Sequence, residues 1–166
     1  MYLKTALIYC SDHGTTEKVA GMIANELTDQ NVEIINVKRK KKIDLSEFDL
    51  IIIGSSVHSG KNQAGIRTFI RENLLVLLQK RIALYLCCMN ESVEKDEFNK
   101  AYPQLLRQHS EYNAIAGGEY LIDKMNFLER FIIRRISGLT GTVSNLKTDE
   151  IIKLTNQIKA NSIDKI

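Results

Sequence analysis

The sequence predicts an α/β domain built on an open, five-stranded parallel sheet with helices on both faces. Three observations lead there. Short, nearly all-apolar runs recur along the chain, too brief for helices and too continuous for strands with one wet face. Segments with apolar residues at helical spacing separate them, an alternation that calls for right-handed βαβ crossovers. Small polar residues cluster directly after the first, third and fourth runs, where sheets of this kind place their ligands. With 166 residues, 44% hydrophobic and 26% charged, one well-buried domain spanning 1–166 is expected.

The first strand is residues 3–10, LKTALIYC, followed at once by a turn. Residues 14–27 form the first helix, with Val19, Ala20, Ile23, Ala24 and Leu27 in one stripe and Glu17, Lys18 and Asn25 left for solvent. VEIINV at 32–37 is a short second strand. DLIIIG at 49–54 is the third, apolar enough to be covered on both faces. A helix over 66–78, a strand over 81–88 (RIALYLCC), a helix over 93–109 and a fifth strand over 112–120 (YNAIAGGEY) continue the pattern. Helices over 123–139 and 148–159 close the chain.

The N-terminal residues alternate like a strand and lack a basic segment followed by a long apolar one, so export is not expected and a cytoplasmic location is. No apolar run approaches the ~20 residues needed to span a bilayer. The three cysteines, Cys10, Cys87 and Cys88, are an odd number in such a chain. They read as buried thiols at strand ends rather than a disulfide framework. Cys87 and Cys88 are strand neighbours that point to opposite faces, and a bond between them would be strained.

The loops to examine are therefore SDHGTT (11–16), GSSVHSGK (54–61) and CCMNES (87–92). The first joins a strand to the N-terminus of a helix, where free amides and the positive end of the dipole receive anions. Ser11, Thr15 and Thr16 add hydroxyls, and Gly14 lets the backbone turn closely. Two readings stay open on these residues alone: a phosphate cradle without a lysine, or plain capping with Ser11 or Asp12 as the N-cap. Neither GxxxxGKS nor GxGxxG occurs, which disfavours a nucleotide triphosphatase and a dinucleotide site.

YCSDHGTTEKVA resembles the phosphate loop of the flavodoxin family, written T/S-x-T-G-x-T. Ser11, His13, Gly14 and Thr16 fall at the patterned positions, with His13 where a threonine is usual. DLIIIGSSVHSGK resembles that family's third strand and the loop beside its flavin. AGG at 116–118 followed by FLERFIIRRISGLTG at 127–141 resembles the menaquinone-dependent protoporphyrinogen dehydrogenases, flavodoxin-fold enzymes of haem synthesis.

The resemblance implies strand order 2-1-3-4-5 with FMN at the switch point. It implies a phosphate on Ser11, Asp12, His13, Gly14, Thr15 and Thr16, with the flavin ring between Ser55, Ser56, Val57, His58, Ser59 and Gly60 on one side and Cys88, Met89 and Asn90 on the other. The flavin would carry the electrons, and no catalytic side chain or metal is implied. The leading expectation is an FMN-dependent oxidoreductase that passes electrons from a reduced, porphyrinogen-like substrate to a quinone. A soluble electron carrier and a non-catalytic FMN-binding module are the alternatives. Carriers of the family are typically acidic, whereas this chain carries a net charge of +3, which weighs against the carrier.

His58 stands where family members often stack an aromatic, so it is a candidate flavin neighbour as well as an ordinary loop histidine. His13 reads as a phosphate-side or capping residue, and His109 as a favourable charge at a helix end. The run KRKKK at 38–42 suits nucleic acid or anionic lipid, against the plainer reading of a solvated loop, and no nucleic-acid partner is expected. In the helix over 123–139, Leu128, Phe131, Ile132, Ile136 and Leu139 form a stripe explained by a helix covering the sheet. Lys124, Arg130, Arg134 and Arg135 are not explained by packing. They suit a carboxylated substrate or an anionic lipid surface, which would give the protein a peripheral position at the inner face of the membrane.

Overall fold

A computed structural model describes residues 3–40, 42–58, 61–62, 64–120, 125, 127–137 and 141–163. The strands are β1 (Lys4–Tyr9), β2 (Asn31–Asn36), β3 (Leu50–His58), β4 (Lys61–Asn62), β5 (Arg81–Cys87), β6 (Asn113–Ile115), β7 (Gly117–Tyr120) and β8 (Val143–Leu146). The helices are α1 (Thr15–Glu26), α2 (Ala64–Leu77), α3 (Glu94–Ala101), α4 (Gln104–His109), α5 (Phe127–Ser137) and α6 (Thr148–Ile163). No described helix is long and apolar enough to cross a membrane.

Five strands run parallel in the order β2-β1-β3-β5-β6. Counting parallel strands only, that is the expected 2-1-3-4-5, with the switch point between β1 and β3. The register sets Ile8 beside Ile35 on one side and Ile53 on the other, and Ile53 beside Leu84. Alternate side chains fill two cores. Ala6, Ile8, Ile51, Ile53 and Leu84 pack with Ile66 and Ile70 of α2, Phe98 of α3 and Leu106 of α4. Leu7, Leu50, Ile52 and Tyr85 pack with Val19 and Ile23 of α1 and Leu154 and Ile158 of α6. Both faces are covered, which is why these strands read as unbroken apolar runs.

The structure departs from the sequence reading at five places. The third strand does not stop at Gly54: β3 continues to His58 because β5 supplies ladder partners, with Ser55 opposite Leu86 and Ser56 opposite Cys87. It then folds back on β4, with Val57 opposite Asn62 and His58 opposite Lys61. Ser59 and Gly60 lie outside the described residues.

The helix expected over 93–109 is two. Pro103 pushes the preceding residue out of the helical region, and Tyr102 is extended at φ −123° and ψ 131°. Its hydroxyl is buried and donates to the Ile53 and Tyr85 carbonyls.

The fifth strand divides at Ala116. β6 stays in the parallel sheet, while Gly117 turns at φ 70° and starts β7, which pairs antiparallel with β8. A side chain at Gly117 would strike the Asn145 carbonyl at 1.9 Å. β8, which the sequence reading did not anticipate, is the return strand of this hairpin.

Helix α5 lies within the hairpin, between β7 and β8, and does not cover the sheet as expected. Phe127 (86% exposed), Leu128 (65%), Phe131 and Ile132 face outward. Residues 123–124, 126 and 138–139 of the anticipated helix lie outside the described residues. The helix that covers that face of the sheet is α6.

Candidate functional site

The carboxyl ends of β1, β3 and β5 converge beside the N-terminus of α1. Between β1 and α1, Gly14 is the N-cap residue at φ 97°, a left-handed conformation that disfavours other residues. Having no side chain, Gly14 makes no cap hydrogen bond of its own. Neither Ser11 nor Asp12 is therefore the N-cap residue: the Ser11 hydroxyl accepts from the Gly14 amide at 2.9 Å, within the loop. A helix start without a side-chain cap offers its first amides, with the positive end of the dipole, to an anion.

Thr15 and Thr16 are both buried in the first turn. Thr16 Oγ1 lies beside the Cys87 thiol and, among the described residues, has no partner at hydrogen-bond geometry. A buried hydroxyl left so is costly, and it is a place a ligand oxygen would satisfy. The backbone of the same turn is anchored from the sheet: Tyr85 donates its hydroxyl to the Thr16 carbonyl at 2.9 Å. Burial holds the Tyr85 phenol well above its ordinary pKa, so it remains a donor.

The cradle lacks a lysine in its own sequence, but the fold brings one to it. Lys38, just past β2, pairs with Asp12 in the loop, and both side chains are partly exposed. Lys40 pairs with Glu33 at 3.0 Å. At least two lysines of the basic run are thus tied locally, one of them offsetting the only acid in the cradle. His13 is half-buried in the same loop.

The wall built by β3 holds Ser55, buried, with Ser56 and Val57 half-buried beyond it. His58 is placed in the backbone ladder to β4. Opposite, the chain after β5 carries Cys88, Met89 and Asn90. The Cys88 amide donates to the Gly117 carbonyl at 2.8 Å, and Asn90 Oδ1 accepts from the Ser92 amide at 3.0 Å. Cys87 and Cys88 enter different cores, and none of the three cysteines is in a disulfide. Burial pushes the Cys87 thiol up to about 12 and raises those of Cys10 and Cys88, so none has thiolate character.

The start of α1 and the segments that follow β3 and β5 thus meet at the carboxyl ends of the strands, an arrangement whose chemistry suits a cofactor bearing one phosphate. Arg130, Arg134 and Arg135 sit on α5, where Arg134 and Arg135 are exposed and Arg130 Nε donates to the Met125 carbonyl at 2.9 Å. His109 lies in the last turn of α4, as expected, and its Nε2 also contacts the Lys80 carbonyl at 2.8 Å. Sequence reasoning missed Tyr85, Lys38 and Glu119, a buried acid in β7 bonded to Lys18 of α1 at 2.6 Å. Each is distant in sequence from the loop it serves, and no local motif marks it.

A family model described as the flavodoxin domain matches residues 6–147. Protoporphyrinogen IX dehydrogenase [quinone] of Escherichia coli strain K12 is 20% identical over 159 residues, covering 90% of this chain and 87% of that protein. Among solved structures, a short-chain flavodoxin associated with a non-canonical PDU bacterial microcompartment aligns with a TM-score of 0.57 at 13% identity, over 96% of this chain and 98% of that one. The flavodoxin of Streptococcus pneumonia TIGR4 aligns with a TM-score of 0.55 at 13% identity, over 95% and 99%.

Proposed function

Since the chain belongs to the flavodoxin domain family, we propose that it binds FMN and works as an oxidoreductase that passes electrons from a reduced, porphyrinogen-like substrate to a quinone. The observation that carries the cofactor is the loop before α1: a helix start whose N-cap residue is a glycine at positive φ, and a buried Thr16 hydroxyl that lacks a partner among the described residues. Ser11, Asp12, His13, Gly14, Thr15 and Thr16 would hold the phosphate, with Lys38 keeping Asp12 from repelling it. Ser55, Ser56, Val57, His58, Ser59 and Gly60 would flank the ring on one side, and Cys88, Met89 and Asn90 on the other. Bound there, FMN would supply the two-electron and one-electron chemistry. The protein residues hold it, screen it from water and set access. The high thiol pKa values keep Cys87 and Cys88 out of the redox step.

The dehydrogenase reading is favoured over a carrier by two features. The net charge is +3, whereas docking on basic partners calls for an acidic surface. The α5 excursion also sets exposed Phe127, Leu128, Phe131 and Ile132 among Arg130, Arg134 and Arg135, a combination suited to the membrane surface where a quinone resides. The distant likeness to the Escherichia coli enzyme supports the same reading.

Two measurements test it. The visible spectrum of the purified protein reports flavin, and a colourless protein that also fails to take up added FMN would end the proposal. Protoporphyrinogen oxidation is then followed with and without a menaquinone analogue. Turnover only with the quinone supports the dehydrogenase, reduction by a reductase without substrate turnover supports a carrier, and flavin binding with neither leaves a non-catalytic module.

A further inference from the structure

Links on two sides fasten the β7–β8 hairpin to the loops of the candidate cofactor site, beside the Cys88–Gly117 backbone bond and a 3.2 Å bond from Asn145 Nδ2 to Glu91 Oε1. On one side, Glu119 of β7 reaches the first turn of α1. Lys18 Nζ donates to its Oε1 at 2.6 Å, and the Ser144 hydroxyl of β8 donates to the same oxygen at 2.8 Å. On the other side, Lys147 at the end of β8 pairs with Glu94 at 2.8 Å, in the first turn of α3. Between the two links the backbones nearly touch: a Cβ on Gly118 would lie 2.9 Å from Met89 Cγ and 3.0 Å from the Met89 amide nitrogen.

Glu119 is no ordinary surface partner for a lysine. Its side chain is only 2% exposed, while that of Lys18 is 55% exposed. Its second oxygen, Oε2, is buried with no hydrogen-bond partner among the described residues. A carboxylate held half-satisfied away from water is unfavourable unless its position is imposed by what it joins. What it joins are the first turn of α1, which carries the anion seat, and the two strands from which α5 projects.

We propose that Glu119 is a positioning residue that couples occupancy of the flavin site to the setting of the α5-bearing hairpin, an inference that rests on the FMN reading above. A phosphate on residues 11–16 orders the first turn of α1 and with it Lys18. A ring against residues 88–90 orders the segment on which Gly118 packs. Each reduces the conformational freedom the hairpin loses on docking, so cofactor and hairpin stabilise one another. Linkage makes the effect reciprocal: the factor by which FMN protects the hairpin is the factor by which the docked hairpin raises FMN affinity. Loaded protein then presents α5 in a fixed place, and cofactor-free protein does not.

The test is hydrogen exchange of the full chain, read over residues 117–146, with and without FMN, beside FMN titrations of the same proteins. In the native sequence FMN is expected to slow exchange in the hairpin by about fivefold or more, the lower end of typical couplings. Glu119→Ala should lose that response and bind FMN more weakly by the same factor. Glu119→Gln, which keeps an acceptor for Lys18 and Ser144, should retain the response in part. Lys18→Ala, at a largely exposed side chain, guards against a Glu119 variant that does not fold and should show the same loss. FMN binding with unchanged hairpin exchange in the native chain would overturn the coupling alone, as would an undiminished response in both Glu119→Ala and Lys18→Ala. Failure of the native chain to bind FMN would instead sink the cofactor reading.

Discussion

The Tyr85 ring fills the space that a side chain on Gly54 would need: a Cβ there would lie 2.0 Å from Tyr85 Cζ. The glycine is therefore a packing requirement in the middle of β3, and the phenol it admits reaches on to hold the Thr16 carbonyl.

Gly54→Ala is expected to destabilise the protein by roughly 1–3 kcal/mol, the usual cost of overpacking a filled core. It should also weaken FMN binding by freeing the first turn of α1. Tyr85→Phe keeps the ring and loses one hydrogen bond, at about 1 kcal/mol. Urea midpoints and FMN titrations measure both, and a Gly54→Ala protein with a native midpoint would mean that Tyr85 has room to move.

Thr16→Val should act with opposite signs on two quantities. It removes a buried hydroxyl that has no partner among the described residues, so cofactor-free stability is expected to hold or rise by up to about 1 kcal/mol. FMN affinity is expected to fall roughly tenfold, the value of one hydrogen bond to a charged oxygen. Loss of stability with unchanged FMN affinity would contradict a phosphate role for this side chain.

Cys87 makes stability fall with alkaline pH. Burial raises its folded-state pKa from the ordinary 9.0 to about 12, so above the unfolded value the folded chain holds a proton that the unfolded chain releases. Stability is thus unaffected by this group below pH 9.0 and declines from there towards about 12. Cys87→Ala should flatten the first part of that decline in urea unfolding followed across the range. A slope identical to the native one would assign it to other groups, such as Tyr85 and Tyr102, whose phenols are also raised by burial.

Charge reversal at Arg130, Arg134 and Arg135 tests the α5 surface. Each cation near an anionic membrane contributes about 1 kcal/mol, so the triple variant should lose well over tenfold in sedimentation with anionic vesicles. Little should change with neutral vesicles. Unchanged sedimentation with anionic lipid would remove the membrane from the proposed function.

The sheet was legible because strands buried on both faces must be apolar throughout, as LIYC and DLIII are. The proposed anion seat could be placed because strand, glycine and helix start are contiguous in residues 9–16. Gly54 misled because Gly-Ser-Ser reads as a turn, whereas its reason is a ring on the adjacent strand. The stripe of α5 misled because periodicity identifies an amphipathic helix without saying whether protein or something else covers it.

Local chemistry fixed the alternation of the main strands and helices, the position of the three loops and the strand–glycine–helix start on which the proposed anion seat rests, since each depends on residues a few positions apart. The tertiary structure alone brought Lys38 to Asp12 across 26 positions, Tyr85 to Thr16 across 69 and Lys18 to Glu119 across 101. Those meetings depend on sheet register, on the turn at Gly117 and on how β7 leaves the sheet. They are set by packing of the whole chain, which no short stretch of sequence encodes.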